Sequence, residues 1–143
     1  MESSSVCYCT AARKAARKLS LFYDQRLAPV GLTVAQYSIV AEIERHSSPP
    51  PTITELAAAL IMDRSTLGQG LRPLERDGLV QFVENDEDGR SRRVALSKRG
   101  RTTFAAAHTL WKSAQREYAG LLGRDTADHA RAVMNGLVSA NQF

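Results

Sequence analysis

Aromatic side chains are scarce in this chain: only 6% of its 143 residues are Phe, Trp or Tyr, while 43% are hydrophobic and alanine is plentiful. Such a composition can build a core and argues against disorder, and it predicts helices packed closely through small side chains. Cysteine is almost missing. Cys7 and Cys9 are the two present, and on a helix that spacing turns them ~200° apart, which disfavours an intrachain bridge or a shared metal. With no Cys/His cluster, neither a structural zinc site nor any other metal or cofactor is expected. No apolar run approaches the ~18–20 residues of a membrane span. The polar Met1–Val6 segment lacks the order of a signal peptide, so a cytoplasmic protein without membrane contact is expected. Phosphate loops, paired acids and nucleophile elbows are also missing. His46, His108 and His129 fall on three different predicted helices, so the chain does not read as an enzyme.

What is present is a mild excess of positive charge, 19 Lys and Arg against 15 Asp and Glu, and its distribution is more informative than its size. Glu84, Asp86, Glu87 and Asp88 form an acidic run. Arg90, Arg92, Arg93, Lys98, Arg99 and Arg101 follow with no acid among them. That switch concentrates positive charge on one loop and the strand after it.

The periodicity predicts a first helix from about Cys7 to Leu27, with Ala12, Ala15, Ala16, Leu19, Phe22, Tyr23 and Leu27 on one side. Pro29-Val30-Gly31 ends it. Thr33 and Gln36 form a capping box for a second helix reaching about His46, with Tyr37, Val40, Ala41 and Glu44 along one side. After the Ser47–Pro51 break, a short helix is expected from Thr54 to about Ile61, buried through Leu56, Ala57 and Leu60. Asp63 then caps a further helix, Arg64 to Asp77, and Gly78 stops it. A short helix, a brief turn and a capped second helix make a helix-turn-helix candidate.

Leu79–Val83 and Arg93–Leu96 read as the two strands of a hairpin joined by the polar Glu84–Arg92 loop. Ser97 caps a long helix from about Lys98 to Tyr118, marked by Phe104, Ala107, Trp111, Ala114 and Tyr118. Gly120–Gly123 interrupts, and Asp125 caps a last helix with Ala130, Val133, Met134, Leu137 and Val138 on its apolar side. The fold class is therefore mainly α with a small β-hairpin wing: a winged helix-turn-helix flanked by outer helices. One domain spans 1–143. The lobe occupies about 33–100, and the segments 6–28 and 101–143 serve dimerisation, since their apolar surface exceeds what one small domain covers and an identical chain is the economical partner.

At 100° per residue, Leu67, Leu71 and Leu74 cluster on one side of the Arg64–Asp77 helix and Ser65, Gln69, Arg72 and Arg76 on the other. Glutamine can bond adenine in bidentate fashion, arginine reads guanine or grips phosphate, and serine does either. Gly68, Gly70 and Pro73 weaken this helix, so packing must hold it; the glycines would admit DNA backbone or a neighbouring helix. In Asp88-Gly89-Arg90 an arginine at a hairpin tip can enter a minor groove, with the acid steadying its guanidinium. An alternative from another class is a winged-helix module used only for protein contacts; the basic wing and the Gln69/Arg72 face argue against it.

Asp63–Leu67 with Leu71–Val80, then Asp88–Gly100 with its Asp-x-Arg and Leu-Ser-x-x-Gly pattern, and Leu32–Tyr37 together resemble the MarR family of transcriptional regulators over nearly the whole chain. Gly68-Gln69-Gly70 stands where larger polar or basic residues are usual, so base preference does not carry over. The resemblance implies a homodimer joined by its first and last helices, bound to a pseudo-palindromic operator in double-stranded DNA, as a repressor released by an effector. The DNA contacts it implies are Ser65, Thr66, Gln69, Arg72, Arg76, Asp88, Arg90 and Arg92. A small aromatic acid between dimer helices and DNA lobe is one effector, with Arg17, Tyr37 and Trp111 as candidate lining. A peroxide acting on thiols is the other. Cys9, in the first helical turn with Arg13 one turn on, would have a lowered pKa. The family's hydroperoxide sensors pair such a cysteine with a tyrosine, here Tyr23, and Cys7 would be the resolving thiol.

Overall fold

A computed structural model describes residues 5–84 and 92–141 of the chain. Among these, eight main elements follow in order: α1 (Tyr8–Leu27), α2 (Val34–Arg45), α3 (Ile53–Ala59), α4 (Arg64–Arg76), β1 (Val80–Val83), β2 (Arg93–Leu96), α5 (Lys98–Leu122) and α6 (Arg124–Ser139), with one 3-10 turn at Ala28–Val30. The mainly helical fold with a two-stranded hairpin is the one expected from sequence.

Local chemistry sets most of the boundaries. Thr33 and Gln36 close a reciprocal capping box at the start of α2, and Asp24 Oδ1 accepts from the Val34 amide at 2.7 Å, tying that start to α1. A second box was missed in the sequence: Thr52 and Glu55 cap α3, which therefore begins at Ile53 and ends at Ala59, earlier than expected at both ends. Asp63 Oδ1 accepts from the Thr66 amide at 2.7 Å, and Gly78 takes φ +74° just beyond α4, as the cap and stop readings required. Between α3 and α4, Ile61 holds φ 54°, a costly left-handed conformation for a β-branched residue.

Two expectations fail in the last third. Gly120 does not interrupt α5, because a glycine inside an otherwise good helix costs only ~1 kcal/mol; the break comes at Gly123, with φ +91°. Asp125 does not cap α6. It lies in the first turn, favourable to the helix dipole, while Gly123 occupies the cap without a side-chain bond.

The core sits mainly in the lobe, with Leu27 of α1 and Ala107 of α5 packed into it. Leu27, Tyr37, Ile39, Val40, Ile43, Leu56, Leu67, Leu71, Leu74, Val94 and Leu96 are all buried, so α2 contributes Ile39 and Ile43 beyond the stripe expected. A Cβ on Gly70 would lie 3.0 Å from Ile39 Cδ1, which makes close approach of α2 the reason for that glycine, whereas Gly68 faces open space. β1 and β2 pair antiparallel in the register Val80↔Leu96 to Val83↔Arg93. Pro51 and Thr52 lie along the other side of β2: Val94 N donates to Pro51 O (2.9 Å), Ile53 N donates to Arg92 O (3.1 Å), and the Arg93 guanidinium reaches Pro50 O (2.5 Å).

The lobe is locked to α5 by Ser97. Its hydroxyl donates to Gly78 O at 2.6 Å and accepts from the Gly100 amide at 2.9 Å, while its amide donates to Leu79 O at 3.0 Å. A Cβ on Gly100 would stand 2.0 Å from that same Leu79 oxygen. The Leu-Ser-x-x-Gly pattern thus records a cap and a close backbone approach. The outer helices are less covered. Ala12, Ala15 and Ala16 of α1 are exposed, and burial begins only toward Leu19. No helix of the described residues is long and apolar enough to cross a membrane.

Candidate nucleic-acid interface

The site is built on α4. Its leucines are buried, so its opposite face must look outward, and Ser65, Thr66, Gln69, Arg72 and Arg76 are all exposed there. Thr66 is partly committed, since its hydroxyl donates to Asp63 Oδ2 at 2.9 Å. The Thr66 amide and hydroxyl hold the Asp63 carboxyl below the usual carboxylate range, so the cap is charged at neutral pH. Arg76 lies 3.6 Å from Asp77 and is otherwise open to solvent. Gln69 and Arg72, three apart, form neighbouring donors on one helical face. Such a face can meet base edges and phosphates together.

The wing brings further positive charge. Arg92 is exposed, with its guanidinium 4.9 Å from the centroid of the Phe82 ring, which orients it along the hairpin. Arg93, its neighbour in the basic run, plays a different part, because its bond to Pro50 O ties the wing base to the loop before α3. Asp88 and Arg90 lie outside the described residues.

Tyr37 and Trp111 do come together, in a cavity of about 500 Å³ between α2 and α5. Arg17 does not line it; that side chain is exposed on α1. Sequence reasoning missed two further cavity residues: Phe104, because it read as part of the apolar stripe of α5 and does pack against the core, and His108, because it read as a lone helical histidine. The Tyr37 hydroxyl pairs with His108 Nδ1 at 3.1 Å, and burial pushes the Tyr37 phenol up to about 12.

The cysteines are placed differently from the expectation. α1 starts at Tyr8, so Cys7 is its cap: Cys7 Sγ accepts from the Thr10 amide at 3.4 Å. The Thr10 side chain, then the backbone amides of Thr10 and Cys9, hold the Cys7 thiol below its usual range. Cys9 is exposed one step into the helix. Tyr23 donates its hydroxyl to Gln115 Oε1 of the same chain, linking α1 to α5. Beside it Arg26 stacks on the Phe22 ring at 3.4 Å and makes a bidentate pair with Glu117, at 2.6 and 2.7 Å, holding that carboxyl below its usual range.

Comparison with known proteins agrees with this geometry. Residues 30–91, from the 3-10 turn before α2 to just short of β2, match the MarR family model. The chain is similar to the transcriptional regulator MosR of M. tuberculosis, solved in complex with DNA, at 36% identity and TM-score 0.74 over 90% of this chain and 97% of that one. It is also similar to the transcriptional repressor CouR bound to a 23-mer DNA duplex, at 28% identity and TM-score 0.82 over 92% of each chain. Among curated proteins, the transcriptional activatory protein BadR of Rhodopseudomonas palustris is 33% identical over 72 residues, half of this chain and 41% of that one, so the match spans less than half of BadR's length. A lobe that matches the family model, 36% identity to MosR over nearly the whole of that chain, and an exposed polar face on the second helix of the motif place the chain in the MarR family of transcriptional regulators.

Proposed function

We propose that the chain binds a pseudo-palindromic DNA operator as a homodimer, represses transcription there, and is released by an effector. The observation that carries this is α4: three leucines buried, and Ser65, Thr66, Gln69, Arg72 and Arg76 exposed along the opposite face. Arg92 extends that face toward phosphate, and Arg90 of the wing sequence is the residue we assign to a minor-groove contact. Relatives with DNA in their structures, MosR and CouR, support the reading. Dimerisation through 6–28 and 101–143 is supported by the apolar residues of α1 and α6 that this chain leaves open. Two copies would set two α4 faces on successive major grooves, about one helical turn apart.

Selection of bound sequences from random duplex DNA tests the reading. The expected result is an enriched two-half-site sequence whose affinity falls steeply with salt. Gln69→Ala should relax preference at particular base pairs by about 1–3 kcal/mol each, without uniform loss. Failure to enrich any sequence, together with salt-insensitive or absent binding, would leave a protein-contact module as the better account.

For the effector, the Tyr37–Trp111 cavity favours a small aromatic ligand. A second reading rests on the capped Cys7 thiol: its thiolate takes one oxygen from a hydroperoxide, leaving an alcohol, and the sulfenic acid condenses with a second thiol to a disulfide and water. Operator release by cumene hydroperoxide in wild type, with none in Cys7→Ser or Cys9→Ser, would support it; release unchanged in both variants would exclude it.

A further inference from the structure

The α2–α5 cavity has an uneven charge. One wall is aromatic. Phe104, His108 and Trp111 are spaced i, i+4, i+7 along α5, and Tyr37 of α2 joins them. Three of the ring pairs are close to parallel, 17° between Tyr37 and Phe104, 23° between Tyr37 and Trp111 and 17° between His108 and Trp111, while Phe104 and His108 are tilted by 33°, with centroids 5.4–5.9 Å apart. Tyr37 is buried behind the others, while Phe104, His108 and Trp111 are half-buried, so part of each of these three rings is open to a further planar ring.

The rim is charged, and its balance is negative. Glu42, Glu44 and Arg45 of α2 border the cavity, two carboxylates against one guanidinium. Arg45 is already shared: its Nη1 lies 3.8 Å from Glu42 Oε2, and most of its side chain reaches into solvent. The other Glu42 oxygen bonds His46 Nε2 at 3.0 Å. Glu44 has no ion pair among the described residues. Nor is the Tyr37 hydroxyl free for an anion, since His108 takes it up.

We propose that this cavity takes a planar aromatic cation, an amine or ring-nitrogen cation held between the aromatic wall and the Glu44 carboxylate, and disfavours the aromatic acids that the family resemblance implied. The inference rests on the reading of this cavity as the effector site and adds the charge of its ligand. Ring quadrupoles attract a cation laid on their faces, and a carboxylate beside them adds to that attraction, whereas an acid would meet a rim of like sign. A volume near 500 Å³ suits a ligand of two or three fused rings.

A matched pair of probes separates charge from ring: 2-naphthylmethylammonium and 2-naphthoate, titrated by calorimetry into the full chain. The ammonium should bind about tenfold more tightly. Glu44→Gln should erase most of that preference while ring binding persists, and Trp111→Leu, which removes the one tryptophan of the chain, should weaken both probes. If 2-naphthoate binds as tightly or more tightly, and Trp111→Leu still abolishes it, the cavity reading survives and the charge inference fails. An ammonium preference unchanged in Glu44→Gln also overturns the charge inference. Absence of heat from either probe up to about 1 mM, or binding indifferent to Trp111→Leu, overturns both.

Discussion

The leucines of α4 and the aliphatic residues of α6 belong to helices of similar length, yet they end in different surroundings. Leu67, Leu71 and Leu74 retain at most 1% of their surface, whereas Val133, Met134, Leu137 and Val138 keep 51–63%. α4 is enclosed by α2, α3 and β1, while α6 packs chiefly on α5 and borders α1 only along a small cleft. At the other end of the chain Val6 and Tyr8 are almost fully exposed. The lobe therefore satisfies its own hydrophobic pattern, and the outer helices carry a pattern that one copy leaves unsatisfied. Apolar surface buried in the lobe contributes to folding of the single chain. The same surface on α1 and α6 contributes only when something covers it, so its worth depends on concentration.

That contrast can be broken first at α6. The double variant Val133→Asp/Leu137→Asp should sediment as a monomer at micromolar concentration, where wild type should sediment as a dimer, and its affinity for a two-half-site operator should fall by about a hundredfold or more. Sedimentation indistinguishable from wild type would mean that α6 is not part of the interface.

A lobe substitution should act differently. Leu67→Ala removes a fully buried side chain and should cost about 2–5 kcal/mol of stability, with the deficit the same in dilute and concentrated protein. Urea denaturation at two protein concentrations checks this. A deficit that changes with concentration would show that the lobe, too, depends on assembly.

The smallest effect sharpens the junction between the two regions. Gly100→Ala drives a methyl group into Leu79 O, 2.0 Å from where its Cβ must stand, and should destabilise by about 1–3 kcal/mol. Gly68→Ala meets nothing within 4 Å and should raise helix stability by up to ~1 kcal/mol. Denaturation midpoints moving in the same direction for both would show that the cap at Ser97 does not hold α5 to the lobe as described.

Much of the fold was legible in the residues alone. Thr33 with Gln36, Asp63 and Gly78 act through neighbours three or fewer residues away, so their roles follow from local chemistry. Thr52 and Glu55 form the same kind of box and were overlooked because the Ser47–Pro51 run drew the helix start downstream. Gly120 and Asp125 misled for a related reason: a residue type that permits a break or a cap does not require one, and Gly123 took both roles. The amphipathic pattern of α4 identified its outward residues because a helix with three buried leucines has only one way to face.

What the sequence alone determined was therefore the order of the elements, most of their caps, the buried stripe of α4 and the polar face opposite it, all set by periodicities and bonds within a few residues. Only the tertiary structure decided which charges border the Tyr37 cavity, that Arg17 lies away from it, that Tyr23 is engaged by Gln115, that Arg93 braces the wing while Arg92 faces out, and that Cys7 caps α1 rather than being its first helical residue. The first four depend on how far and at what angle separate helices and strands pack. Those distances come from the summed fit of many side chains across the core. The last depends on a one-residue difference in where a helix begins, finer than hydrophobic periodicity resolves.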